Sequence, residues 1–221
     1  MAAILTDFTA DREAMVDHQL RRRGITPPEI LGAFRAVPRE AFISEEYAHL
    51  AYGDHPLPIE AGQTISQPYI VALMIEAAEI KRGDKVLEVG SGSGYAAAVI
   101  SRIASRVIGI ERQHDLVEVS RERVAQLGYD NVEIVEGDGT KGVPQEAPFD
   151  AILAAASGSH VPKALLDQLS LGGRLVMPVG QPGWVQKLVK VTKRENGSLQ
   201  QSDLGEVRFV PLIGEEGWKD A

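Results

Sequence analysis

The chain has 221 residues, 44% hydrophobic and 24% charged, the profile of one globular unit with a single sizeable core. Asp plus Glu (31) outnumber Lys plus Arg (23), giving a net charge of −8, so nucleic acid, which is bound through clustered positive charge, is not an expected partner. The absence of cysteine excludes disulfides, thiolate metal sites and cysteine nucleophiles; no apolar run has membrane-spanning length, and residues 1–7 lack the positive start and apolar stretch of a secretory signal, so a cytoplasmic protein without a membrane partner is expected.

Residues 11–23 are polar, with apolar positions at Met15, Val16 and Leu20 and a stop signal at Gly24, which predicts a helix. Arg21, Arg22 and Arg23 at its end read as a solvated terminus favoured by the helix dipole, or alternatively as an anion patch. Pro27-Pro28 opens a second helix with Ile30, Leu31, Phe34 and Val37 on one face and Pro38 beyond its end. Residues 47–68 are rich in Gly, Pro and polar residues, and a loop of that length in a compact protein is usually functional. From Lys81 the texture alternates. Strands are predicted at 85–89, 107–110, 132–135, 150–155 and 174–179, and helices at 95–104, 115–127 and 162–169. That alternation points to an α/β fold, a doubly wound and mostly parallel sheet with helices on both faces. Strands at 184–193 and 204–210, joined around the hairpin signal Asn196-Gly197, bring the count to seven and predict an antiparallel C-terminal edge. The expected organisation is a helical N-terminal extension with a site-covering loop over 1–80 and a core over 81–221, together one compact domain.

The most informative stretch is Val86-Leu87-Glu88-Val89-Gly90-Ser91-Gly92-Ser93-Gly94-Tyr95. It follows a strand and opens a helix, the place where an open parallel sheet binds its ligand. A dinucleotide fingerprint spaces its glycines G-x-G-x-x-G and seats a pyrophosphate on the helix N-terminus. Here the third glycine comes one place early, and the carboxylate of Glu88 would oppose a pyrophosphate. The same carboxylate favours a cationic ligand without phosphate. S-adenosyl-L-methionine carries a sulfonium and an ammonium and no phosphate, and E-x-G-x-G-x-G resembles the nucleotide loop of class I methyltransferases. Glu111 follows Gly90 by 21 residues, 111 − 90, the interval at which an acid accepts hydrogen bonds from two ribose hydroxyls. Gly137-Asp138-Gly139 follows the third strand; Asp138 either reaches the adenine amino group or forms a plain Asp-Gly turn.

Taken together, these stretches resemble the protein-L-isoaspartate O-methyltransferase family, from about Met15 to Leu212. The resemblance is carried by Val37-Pro38-Arg39-Glu40 with Phe42, Ala51-Tyr52-x-Asp54, and Gly62-Gln63-Thr64-Ile65-Ser66-Gln67-Pro68. It continues through the glycine loop, Gly137-Asp138-Gly139, Ala147-Pro148-Phe149-Asp150, Gly172-Gly173-Arg174, Pro178-Val179-Gly180 and Phe209-Val210-Pro211-Leu212. It implies a Rossmann-like fold, S-adenosyl-L-methionine as cofactor with S-adenosyl-L-homocysteine as product, and no metal. The implied substrates are isoaspartyl-containing proteins and peptides, with D-aspartyl residues included, and the implied protein is a monomer. Carried over, the catalytic serine matches Ser66. Thr64, Ile65, Gln67, Glu88, Gly90, Ser91, Gly92, Ser93, Glu111, Asp138 and Gly139 match the cofactor site, and Val210, Pro211 and Leu212 help Ser66 frame the peptide cleft. The chain departs from the family pattern at Ala154 and at Ser157-Gly158-Ser159-His160.

Methyl transfer to a carboxylate needs no general base, because a carboxyl group with a pKa near 4 is already ionised at neutral pH. His18, His49, His55, His114 and His160 are scattered without metal-ligand spacing and read as surface or packing residues, with His55 the one nearest the Ser66 motif. Trp184 and Trp218 read as packing residues. Two other readings remain: a methyltransferase acting on another carboxylate or a small-molecule acceptor, and a cofactor-binding module without transfer. Asn196-Gly197 also marks a site where the chain itself could form a succinimide.

Overall fold

The computed structural model describes residues 7–219. Residues 1–6, on which the expectation about a leader rests, lie outside the described residues. The chain begins with α1 (Thr9–Ala14), one π-helical turn at Met15–Leu20 and a 3₁₀ turn at Arg21–Arg23. Sequence predicts one helix here. The wider π turn brings Met15 and Leu20, five residues apart, to one side with Val16, and all three are buried. Gly24 ends the run at φ 101°, the left-handed conformation that glycine adopts without a Cβ penalty. After α2 (Pro28–Ala36), the segment expected to be loop contains two short strands, β1 (Leu57–Pro58) and β2 (Thr64–Ile65), paired antiparallel. Next comes α3 (Pro68–Ala77), which the sequence reading does not assign; Pro68 starts it at a position that needs no N–H partner.

The core elements follow as β3 (Lys85–Val89), α4 (Tyr95–Ser101), β4 (Arg106–Glu111), α5 (His114–Gln126), β5 (Val132–Glu136), β6 (Phe149–Ala154), α6 (Lys163–Asp167), β7 (Leu169–Val179), β8 (Gln186–Lys193) and β9 (Leu199–Val207). They build a seven-stranded sheet in the order β5-β4-β3-β6-β7-β8-β9. β3 to β7 run parallel, and β8 and β9 add an antiparallel edge. The doubly wound architecture and its edge agree with the sequence expectation. The last strand is a correction: it occupies Leu199–Val207 rather than 204–210. Its side chains are mostly exposed, so no apolar alternation marks its start.

Two buried clusters lie on opposite faces of the sheet. Val86 and Val107 join α3, α4 and the N-terminal helices on one face, whereas Leu87, Ile108, Ile152 and Met177 pack with Leu165 of α6 on the other. Strand order reverses at β3, which has β4 on one side and β6 on the other. The crevice at that reversal, outside the carboxyl ends of the strands, is the ligand position of such sheets.

Candidate active site

β3 ends at Val89, and the chain then passes through Gly90, Gly92 and Gly94 at φ 79°, 52° and 87°. These backbone conformations favour glycine, and they carry the loop from the strand into α4 without a side chain between the backbone and the crevice. Ser91, Ser93 and Glu88 line the same cavity, which has a volume of about 630 Å³.

Glu88 is buried, and its Oε2 finds no hydrogen-bond partner among the described residues. Burial, reinforced by the nearby carboxylate of Glu111, pushes its pKa up to about 8, against a smaller downward pull from the backbone N–H of Ala97 in α4. The Ser91 hydroxyl is also buried and unpartnered among the described residues. Unsatisfied buried polar atoms are costly, and those facing a cavity mark where a ligand supplies the missing partner. The orphaned oxygen asks for a donor or a cation, and a cation here would favour the ionised form that burial disfavours, which fits the ammonium of S-adenosylmethionine.

Glu111 ends β4 with both oxygens held by backbone amides. Oε2 accepts from Gly92 at 3.1 Å, and Oε1 accepts from Arg112 at 2.8 Å and Gln113 at 3.0 Å. The carboxylate is thereby fixed beside the glycine loop in the position expected for a ribose. Gly139 lines the cavity, but Asp138 does not. Asp138 Oδ1 accepts from the N–H of Thr140 at 2.9 Å and from its hydroxyl at 2.6 Å, and Oδ2 accepts from the N–H of Glu215 at 2.8 Å. Asp138 thus forms the turn that one of its two sequence readings expects, and its carboxylate fastens the C-terminal segment beside the crevice.

The opposite wall carries Ser66. β1 and β2 are joined by a hairpin closed by the N–H of Ile59 donating to Gln63 O at 2.9 Å, and Ser66 stands between β2 and the start of α3. It is thus held between two regular elements. Its hydroxyl has no protein partner among the described residues. Thr64, Ile65 and Ser66 line the cavity, and Gln67 does not; its amide donates to Asp54 O at 3.1 Å, while its carbonyl receives the first N–H groups of α3. Val210, Pro211 and Leu212 form a third side. Ser157 secures them: its N–H donates to Val210 O, and its carbonyl accepts from Leu212 N and Trp218 Nε1 at 2.8 and 2.9 Å. These bonds use main-chain groups that any residue at position 157 would offer, the Ser157 hydroxyl adding only a long 3.4 Å bond to Val210 O, whereas Ser159 and His160 are exposed and bonded to each other.

Several lining residues escaped the sequence reading, among them Gln63, Tyr95, Gln113, Pro182, Ile213 and Trp218. Tyr95 carried a signal, since it occupies the place of the missing fingerprint glycine. Its ring is buried under the guanidinium of Arg39, 4.8 Å from the ring centroid, and burial pushes its phenol up to about 12. None of the five histidines lines the cavity, and no cluster of metal-ligating side chains occurs among the described residues. No helix among them is long and apolar enough to cross a membrane.

Comparison with known proteins matches residues 10–217 to the family described as Protein-L-isoaspartate(D-aspartate) O-methyltransferase (PCMT). Protein-L-isoaspartate O-methyltransferase 2 of Pelobacter propionicus is 54% identical over 207 residues, which is 94% of this chain and 92% of the relative. A solved protein-L-isoaspartate O-methyltransferase superposes with a TM-score of 0.84 at 32% identity, over 93% of this chain and 66% of that one. A Plasmodium falciparum protein described as a protein-L-isoaspartate O-methyltransferase, crystallised in complex with S-adenosyl-L-homocysteine, superposes with a TM-score of 0.79 at 31% identity, over 91% of this chain and 98% of that one.

Proposed function

Because the chain belongs to the protein-L-isoaspartate(D-aspartate) O-methyltransferase family, we propose that it methylates the free α-carboxylate of L-isoaspartyl residues, and the side-chain carboxylate of D-aspartyl residues, in damaged proteins and peptides. Its cofactor is S-adenosyl-L-methionine, and it is an enzyme of protein repair: the backbone amide nitrogen of the following residue attacks the ester carbonyl, gives up its proton and expels methanol to close a succinimide, whose hydrolysis returns a share of normal aspartate. The single observation that carries the cofactor assignment is the buried, unpartnered Oε2 of Glu88 in the cavity wall.

When bound, S-adenosylmethionine supplies an electrophilic methyl group on a sulfonium. Glu88 and Ser91 offer partners to its polar end, Glu111 to ribose hydroxyls, and Gly139 with the Asp138 turn closes the adenine end. Ser66 donates a hydrogen bond to one carboxylate oxygen of the substrate and so aims the other. It forms no covalent bond. The substrate carboxylate is already ionised, so the chain's task is orientation, and well-oriented pairs gain roughly 7–11 kcal/mol of barrier lowering. Gly62, Gln63 and Thr64 on one side and residues 210–213 with Trp218 on the other wall the reaction from water.

Of the described residues, those up to 80 supply the cover and the Ser66 hydroxyl, and those from 81 onward supply the nucleoside floor and the wall around Val210. A substrate range that tolerates many flanking sequences favours backbone hydrogen bonds to an extended peptide over deep side-chain pockets. Titration calorimetry tests the cofactor assignment. S-adenosylhomocysteine is expected to bind at one site per chain, with NAD and ATP silent; binding of either phosphate-bearing nucleotide in its place would overturn the reading.

A further inference from the structure

Among the described residues only seven large hydrophobic side chains are exposed: Leu50, Leu127, Leu171, Trp184, Val185, Leu199 and Val210. Three of them gather at one place, where the turn between β7 and β8 meets the segment after β9. Trp184 is 72% exposed, Val185 46% and Val210 37%. The sequence reading of Trp184 as a packing residue is therefore corrected: its indole lies in solvent.

Its surroundings are fixed rather than loose. Gln186 is buried, and its amide works as a clamp. Nε2 donates to Gln181 O at 3.3 Å and to Phe209 O at 3.2 Å, and Oε1 accepts from Phe209 N at 2.7 Å. The N–H of Trp184 donates to Gln181 O at 3.3 Å and tightens the turn. One buried side chain thus binds the tryptophan turn to the residues just before Val210. Pro182, inside that turn, lines the active-site cavity together with Val210, Pro211 and, on the far wall, Ser66. Trp184 and Val185 do not line the cavity themselves; they stand exposed two and three residues beyond Pro182, which does.

An exposed indole on a clamped turn loses little conformational entropy when it is covered, which makes it an efficient contact for a partner. The polar hydroxyl and the cofactor floor deal with the isoaspartyl group itself, so what reaches the lip is the chain on either side of it. We propose that Trp184 and Val185 extend the substrate cleft into a docking lip that selects isoaspartyl segments with an apolar or aromatic residue next to the damaged one. This rests on the isoaspartyl reading above. It adds a side-chain preference to an enzyme that otherwise reads backbone, and it favours segments of hydrophobic core exposed by unfolding over polar loops.

The test is steady-state methylation of short isoaspartyl peptides that differ only in the flanking residue, Phe or Leu against Gly or Ser, by the unmodified protein, Trp184→Ala and Trp184→Phe. The apolar-flanked peptides are expected to have the lower KM. Trp184→Ala should raise that KM about tenfold while leaving kcat, the KM for cofactor and the KM of Gly- or Ser-flanked peptides unchanged, and Trp184→Phe should restore most of the loss. A second readout is acrylamide quenching of tryptophan fluorescence: Phe-flanked peptide should protect the unmodified protein more than Trp184→Phe, whose remaining Trp218 lines the cavity, and equal protection of the two would count against the lip. Equal effects on all peptides, or none on any, overturn the lip while leaving the functional reading intact. Failure of the unmodified protein to methylate every isoaspartyl peptide overturns the functional reading and the lip with it.

Discussion

Arg123 of α5 grips Glu60 of the covering loop through two hydrogen bonds, Nη2 to Oε1 at 2.7 Å and Nη1 to Oε2 at 3.2 Å. Arg123 holds the Glu60 carboxyl below its ordinary range against an opposing pull from partial burial. One residue on, Ala61 sits at φ 54°, a left-handed conformation uncommon for a side chain with a Cβ, and Gly62 and Gln63 then line the cavity. The pair therefore holds a bent strip of chain over the glycine loop.

Glu60→Gln or Arg123→Met is expected to raise the KM for cofactor several-fold with a small effect on kcat, since the reacting groups stay in place. The stability loss should stay below ~1 kcal/mol, as for other partly exposed ion pairs. The exchanged pair, Glu60→Arg with Arg123→Glu, should recover part of the cofactor affinity. Calorimetry with S-adenosylhomocysteine and thermal melts measure both, and unchanged affinity in the single variants would show that the loop holds itself.

Ser66 is assigned a role in aiming, which separates its effects from those of the cofactor floor. Ser66→Ala is expected to lower kcat on the order of 100-fold, the usual effect of losing one positioned donor, with cofactor affinity unchanged. A methyl-transfer assay beside calorimetry checks this, and undiminished turnover would remove the hydroxyl from the mechanism.

Glu88 makes the cofactor-free protein sensitive to pH. Its folded pKa is pushed up to about 8 from 4.5, so between those values the folded chain keeps a proton that the unfolded chain has lost. The contribution to stability is complete below the lower value, fades as pH rises, and levels off above about 8. Glu88→Gln carries no such proton and should lose less melting temperature than the unmodified protein between about pH 5 and about pH 8.5. Parallel melting curves for the two would contradict the buried-acid account. Below about pH 8, cofactor binding should release a proton from the unmodified protein and not from the variant, measurable by calorimetry in buffers of different ionisation enthalpy.

Asn196 looks vulnerable in the sequence and is guarded in the fold. Its Oδ1 accepts from the N–H of Ser198 at 3.0 Å and its hydroxyl at 2.7 Å, while the N–H of Gly197, the atom that must attack to form a succinimide, donates to Arg194 O at 2.8 Å. Ageing in urea is expected to convert Asn196 faster than ageing of the native protein, and Ser198→Ala should speed the native reaction. Peptide mapping by mass spectrometry decides it, and equal rates in all samples would show that these bonds do not protect.

The legible parts of this protein are those whose chemistry is written in neighbouring residues. The glycine loop and Glu111 sit at the ends of successive strands, and the alternation of strands and helices points to a doubly wound, mostly parallel sheet. α3 was not legible because Pro68–Ala77 is apolar nearly all round and offers no polar face to reveal its period. The arrangement of Asp138 was hidden for a different reason: the N–H it accepts from belongs to Glu215, 77 residues away. The same holds for Trp218, which reaches the cavity by bonding to Ser157 across 61 residues. Long-range closure of this kind depends on the finished sheet and leaves no local pattern.

The account turns on a carboxylate acceptor recognised by a backbone one methylene too long. The most direct measurement is methyl transfer from S-adenosylmethionine to two peptides of identical sequence, one with an isoaspartyl and one with a normal aspartyl residue. The expected result is rapid formation of an alkali-labile methyl ester on the isoaspartyl peptide and none above background on its twin. Equal labelling of both, or labelling of neither while a small carboxylic acid is methylated, would contradict it.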